Sequence, residues 1–387
     1  MLEKEKNMDL NKYLKELEYL VNIDSGTEDV EGVNKIANFF ATKFREINWN
    51  VHEYEFGTEC GKCVICTNRE AEHYDLLMRG HLDTVFPHGT CEERPFSIEG
   101  NKAYGPGVAD MKNGCLLIYY LLKDIPEEIN KNLNIVAIFN PDEETGSLYS
   151  RNVYEEYARK SDYGFVYEGA GSESGCCVER KGRINYSIDF TGKAGHCGYM
   201  FTNGSKSAVH EMGKWIVKFS EMASMEKDTT VNIGIANGGT KSNVVADKAN
   251  MKIDIRFSEN GEIERFDEAV AEMINNANKC GISIDIHRTI KNAMPYTEKT
   301  DEYVKHIKKI TSENGILFKH GKRGGLSDAN ILTGFGVLCI DGMGPIGDDA
   351  HSSEEYMELD SVIPYYNLSM LLIKDLAEKN IKKNHIE

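Results

Sequence analysis

A chain of 387 residues, 41% hydrophobic and 28% charged, has the length of two domains and the composition of a globular protein. Its 45 basic and 62 acidic side chains leave a net charge of −17, which repels nucleic acid and anionic membranes, so neither is expected as a partner. No apolar run approaches the ~20 residues of a membrane span. The N-terminal stretch MLEKEKNMDLNKYLKEL carries charges where a signal peptide needs an apolar segment, which predicts a cytoplasmic protein with its ten cysteines reduced.

The first elements in chain order are helices. Leu10, Tyr13, Leu14, Leu17 and Val21 recur at i, i+3, i+4 and i+7, as do Val33, Ile36, Phe40 and Phe44. Cys60, Cys63 and Cys66 follow with the spacing of a zinc or iron–sulfur site, but no fourth ligand stands at a typical distance. The alternation in KCVICT instead predicts a half-buried strand in which cysteine packs as a small hydrophobe. The apolar runs DLLMRG, LNIVAIFN and DYGFVYEG then alternate with a helix near Leu116–Leu122. Strands separated by helices predict an α/β domain with a mostly parallel sheet flanked by helices, whose ligands gather at the carboxyl ends of the strands.

From about Gly182 the order changes to strand, helix, strand, strand, helix, strand, ending at ISIDIHRTI. That is the ferredoxin-like α+β unit. GVLCIDG and a long C-terminal helix near Val362–Ala377 then resume the first pattern. The predicted organisation is a discontinuous domain of residues 1–179 and 293–387, interrupted by a smaller domain of residues 180–292.

Five places combine metal-ligand residue types with strand ends or glycine-rich turns. His81 and Asp83 in GHLD share one face of a strand, so the carboxylate can hold the imidazole tautomer. Asp110 follows a Gly-Pro-Gly turn, Glu143 and Glu144 stand side by side in NPDEETG, Glu168 lies in YEGA and His351 in GDDAHSSEEY. A mixed imidazole and carboxylate set suits Zn²⁺, with Mn²⁺ or Co²⁺ as alternatives, and one carboxylate can bridge two ions. The pair Glu354–Glu355 reads as an ordinary solvated acidic pair.

In the order and spacing of these motifs, from GHLDTV to AHSSEEY, the chain resembles the M20 metallopeptidases. It resembles most the glutamate carboxypeptidase G2 type, across HLDTVFPHGTCEERPFSIEGNKAYGPGVAD and GSLYSRNVYEEYARKSDYGFVYEGA. The resemblance implies a zinc-exopeptidase-like catalytic domain with an inserted lid and dimerisation domain. It implies two Zn²⁺ ions, one on His81 and Glu168 and the other on Glu144 and His351, with Asp110 bridging. Asp83 would hold His81, and Glu143 would be the general base acting on a metal-bridged hydroxide. GKAGHCG resembles the family's dimerisation motif, with Gly195 where serine is usual, and implies that His196 reaches across a homodimer to the oxyanion. KSNVVADKANMKIDIR resembles the segment that holds the substrate carboxylate and implies that role for Asn243 and Arg256, a guanidinium fork being suited to it.

The implied reaction is release of a C-terminal, glutamate-like amino acid from small peptides or N-acyl amino acids. The alternative is N-acyl amino acid deacylation of the acetylornithine deacetylase or succinyl-diaminopimelate desuccinylase type. Two rivals make other demands: a non-catalytic binding protein would lack a ligand or the base, and an iron–sulfur protein would be brown.

Overall fold

The computed structural model describes residues 8–173 and 175–384. The charged residues 1–7 of the N-terminal stretch lie outside the described residues. The elements that matter here begin with helices α1 (Leu10–Val21) and α2 (Val30–Glu46), then strands β1 (Asn50–Tyr54), β2 (Cys63–Thr67) and β3 (Tyr74–His81). Helix α3 (Asn113–Asp124), β4 (Ile135–Asn140), β5 (Ser161–Val166) and β6 (Gly182–Thr191) follow. After them come α4 (Ala208–Glu221), β7 (Thr230–Gly238), β8 (Lys248–Phe257), α5 (Gly261–Lys279) and β9 (Ser283–Lys291). Helix α6 (Asp328–Gly334), β10 (Leu338–Ile340) and α7 (Val362–Asn384) close the chain.

Two compact units result, one from residues up to 178 with 296–322 and 327 onward, the other from residues 179–295 with 323–326. In the first unit the sheet runs β1-β2-β4-β3-β5-β10. The strands β4, β3, β5 and β10 are parallel, whereas β1 and β2 join antiparallel at one edge. The mostly parallel α/β class read from the sequence therefore holds, with an antiparallel margin. Strand β2 differs from its expected alternation: all five residues are buried. Its place inside the β1 edge, with Val64 and Cys66 packed in the main core, leaves neither face to solvent.

Local signals explain the helices. Asp29 caps α2 by accepting from Gly32 N at 3.0 Å, a contact worth about 1 kcal/mol. The i, i+3, i+4 face of α2 buries Val33, Ile36, Phe40 and Phe44, and Phe40 stacks on Phe139 of β4 at 4.6 Å. Truncating Phe40 to alanine would cost about 3–5 kcal/mol. Helix α3 is buried from Asn113 to Leu122, and at Gly114 a Cβ would lie 2.0 Å from the Tyr167 carbonyl oxygen. Only glycine lets this helix approach the backbone after β5 so closely.

The second unit is a four-stranded antiparallel sheet in the order β7-β8-β6-β9. Buried residues alternate along β6 and β8, so Ile184, Ile188, Phe190, Met251, Ile253 and Ile255 face a core shared with Trp215, Phe219 and Phe266 from α4 and α5. This is the α+β unit that the order of elements predicts. Among the described residues no helix is long and apolar enough to cross a membrane.

Candidate metal centre

The first unit gathers its polar motifs at the carboxyl ends of its parallel strands. His81 is the last residue of β3, Glu143 and Glu144 occupy the turn that leaves β4, and Glu168 follows β5. Asp110 lies in the turn leading to α3, and the Asp110–Met111 peptide is cis. His351 stands on the connection after strand Gly344–Asp348, at a positive φ of 64°.

These segments converge on the Asp110 carboxylate. Its Oδ1 lies 2.9 Å from His81 Nε2 and its Oδ2 lies 3.1 Å from His351 Nε2. Glu144 Oε2 is 3.3 Å from His351 Nε2, and Glu168 Oε1 is 3.8 Å from His81 Nε2. His81 is paired on its other side too, with Nδ1 3.0 Å from the Asp83 carbonyl and 3.3 Å from Asp83 Oδ1. Ligand atoms of His81, Asp110 and Glu144 all fall within 4.8 Å of one another. The sequence-predicted ligands thus come together as two histidine–carboxylate groups sharing Asp110.

The charges set the chemistry of the cluster. Burial pushes the Glu143 carboxyl up to about 8, with Asp328 and Glu144 adding to it. Burial also raises Glu168 well above the usual carboxylate range and raises Glu144, in both cases with help from Asp110. Burial opposes a charge on Asp110 as well, but hydrogen bonds from His351 and His81 hold it well below its ordinary range. For His81 burial is likewise overcome, by hydrogen bonds to Asp110 and Asp83, and His351 rises to about 10 through Asp110 and then Glu144. Negative charge is in excess, and Glu144 Oε1 is buried with no hydrogen-bond partner. An orphaned carboxylate oxygen beside two imidazoles and further carboxylates is a donor set that fits divalent cations.

Three supporting roles were not legible in the sequence. Asp83, wholly buried, does more than hold His81: its Oδ1 accepts from Glu143 N and its Oδ2 from Glu144 N, both at 3.1 Å, while Thr27 Oγ1 donates at 2.7 Å. One carboxylate therefore positions the histidine and the paired glutamates together. Arg79, two residues before His81, forms a buried pair with Asp328, which also accepts from Ser147 Oγ at 3.1 Å beyond the glutamate turn. Glu355 corrects the solvated reading of the 354–355 pair. Glu354 is exposed, but Glu355 is buried and accepts from Gly107 N, Ala109 N and Asp110 N at 3.0, 2.8 and 2.9 Å. Glu144 also lines a cleft of about 630 Å³ with Thr27, Asp29, Phe86 and His88.

Residues 77–375 match the sequence profile of Peptidase family M20/M25/M40. The chain belongs to this family. Carboxypeptidase G2 of Pseudomonas sp. (strain RS-16) is 29% identical over 94% of this chain and 89% of that protein. Acetylornithine deacetylase of Buchnera aphidicola subsp. Schizaphis graminum is 28% identical over 78% of this chain and 81% of that protein. The crystal structure of aminopeptidase PepT from Bacillus cereus shares the fold, with a TM-score of 0.76 at 22% identity over 95% of this chain and 99% of the other. The M20 chain is a hydrolytic enzyme of the metallopeptidase class, and its relatives include both a carboxypeptidase and a deacetylase. The crystal structure of Bacillus subtilis YXEP, a dinuclear metal-binding peptidase of the M20 family, also shares the fold, with a TM-score of 0.64 at 15% identity over 94% of this chain and 98% of the other.

The remaining residues expected from the sequence, His196, Asn243 and Arg256, lie in the second unit, where the structure joins the first two and separates the third. His196 and Asn243 are both exposed and linked through the backbone, since His196 pairs with Val244 and Cys197 N donates to the Asn243 carbonyl at 3.1 Å. Arg256 lies near the other end of β8, opposite Arg183. Residue 248, which starts β8, is eight residues away, about 26 Å along an extended strand. One copy of this unit does not bring Asn243 and Arg256 to the same carboxylate, because the length of β8 intervenes. Arg256 instead forks onto Asp254, with Nε at 2.7 Å and Nη2 at 3.3 Å, and Arg183 Nε reaches the same carboxylate at 2.8 Å.

Proposed function

We propose that this chain is a dinuclear, zinc-dependent amidohydrolase that releases a C-terminal, glutamate-like amino acid from small peptides or N-acyl amino acids. The observation that carries the proposal is the Asp110 carboxylate shared by two imidazoles, with Glu143 beside it in a turn pinned by Asp83. His81, Glu168, Glu144 and His351 would hold the ions with Asp110 between them; Co²⁺ or Mn²⁺ could replace zinc. Such ions, when bound, acidify a shared water and polarise the scissile carbonyl.

The rest of the mechanism belongs to the chain's own groups. Glu143 makes no ion pair with either imidazole among the described residues, so its carboxylate is left for proton work. It takes the proton from the attacking water and delivers it to the leaving amine. A base spent as a ligand could not do this, which is why the adjacent Glu144 carries the other duty. His196 supports the oxyanion and Arg256 the substrate carboxylate. The likeness of GKAGHCG to the family's dimerisation motif supports His196 acting from a second copy in a homodimer formed through residues 180–292, with Asn243 beside it.

The substrate class follows carboxypeptidase G2 in name, and the acetylornithine deacetylase relative supports the second reading, a small N-acyl amino acid deacylase. A panel of N-acyl glutamates, dipeptides and acetylornithine, assayed with Zn²⁺ and Co²⁺, decides between them. The proposal expects turnover of acyl glutamates; turnover of acetylornithine alone would replace it with the deacylase.

A further inference from the structure

Glu355 belongs to none of the ligand or proton-transfer roles, yet it is a charged residue only 1% exposed beside the bridging carboxylate. The sequence around Asp110 turns sharply: Gly107 has φ +75°, and a Cβ there would lie 2.6 Å from Thr84 Cγ2. That turn leaves three backbone N–H groups pointing inward, and the Glu355 carboxylate takes all three, from Gly107, Ala109 and Asp110. A carboxylate has acceptors only, so it matches three converging donors in a way that no amide can.

Glu355 is itself fixed from two sides. The strand Tyr356–Glu358 that follows it pairs with Lys102–Tyr104, which leads into the Asp110 turn. On its other edge the same strand pairs with Gly344–Asp348, and His351 lies on the connection between those two strands. One side chain therefore ties the turn carrying Asp110 to the hairpin carrying His351, across 245 residues of sequence.

We propose that Glu355 is the positioning residue of the metal centre, holding the Asp110 backbone so that its carboxylate spans His81 and His351. The proposal rests on the ligand set given above. Replacement by glutamine turns one accepting oxygen into a donor facing an N–H, and replacement by aspartate withdraws the carboxylate by one methylene.

The test uses the full chain. Co²⁺ binding to metal-free protein is followed by calorimetry and by the visible d–d bands, for the wild type, Glu355→Gln and Glu355→Asp. Each folded variant should bind Co²⁺ about 10- to 100-fold more weakly, with shifted bands, as for other groups that orient metal ligands. In the metal-free state, amide exchange at residues 107–110 should rise about tenfold or more while α3 keeps its protection. Far-UV circular dichroism identifies the folded variants, and Glu355→Asp carries the test where Glu355→Gln does not fold. Wild-type affinity, wild-type bands and unchanged exchange in either folded variant would overturn the proposal. A wild-type chain that takes up no Co²⁺ would instead overturn the ligand set, and the positioning role with it.

Discussion

At the strand ends of the first unit, two groups near Asp110 are held by partners distant in sequence: Asp83 by Thr27 and the glutamate turn, the Asp110 backbone by Glu355. In the second unit the side chains of His196 and Arg256 bond to near neighbours. His196 Nδ1 accepts from Gly198 N two residues away at 3.2 Å, and Arg256 forks onto Asp254, also two residues away. Long-range partners make a geometry that survives without a ligand, whereas local ones are released easily in exchange for a better partner. The first unit thus carries a preorganised cluster, and the second carries side chains whose present partners are local.

This contrast can be broken or sharpened by substitution. The largest effect is expected from Glu143→Gln, which should lower kcat by roughly 10²–10⁴-fold while metal content by mass spectrometry stays at the wild-type level. Glu144→Ala should instead lose bound metal, and equal metal loss in both variants would erase the division between the two neighbours. Next, His196→Ala should lower kcat by about 10²–10³-fold with metal binding intact. Mixing it with Glu143→Gln should recover activity through mixed dimers that contain one complete site, and no recovery would place His196 outside the partner's reaction.

Smaller changes are expected further from the chemistry. Arg256→Lys keeps the charge but loses the fork, which should raise KM by about 10- to 100-fold, the scale of one charged hydrogen bond, with kcat little changed. An unchanged KM would mean that Arg256 serves Asp254 alone. The smallest signal comes from the thiols. Cys197 and Cys280 are exposed, whereas burial pushes Cys60 and Cys63 up to about 12. At pH 8 a thiol reagent should therefore titrate two cysteines quickly in the native protein and leave the 60–66 cluster untouched until denaturant is added. Fast reaction of that cluster would contradict its role as core packing.

Much of the site could be read without coordinates because metal ligands at strand ends follow short apolar runs. His81 and Asp83 are two residues apart on one strand face, and the glutamate turn follows directly on β4. Glu355 was illegible for the opposite reason. In SSEEY nothing local separates a solvated glutamate from a buried one, and only the approach of a turn 245 residues away buries it. The same holds for Arg79 with Asp328, whose partners are 249 residues apart. Strand β2 misled by its alternation, since burial on both faces depends on β1 closing the sheet beyond it. Asn243 and Arg256 also looked like one device in sequence, although β8 runs between them.

The two histidines flanking Asp110 differ in one respect that bears on how the enzyme would be assembled. The His81 side chain is 1% exposed, whereas that of His351 is 54% exposed. A cation bound on the His81 side would have to shed its water among buried groups. The His351 side opens to solvent. The two sides of the Asp110 carboxylate therefore present unlike surroundings, one dry and closed by the chain, the other open to water.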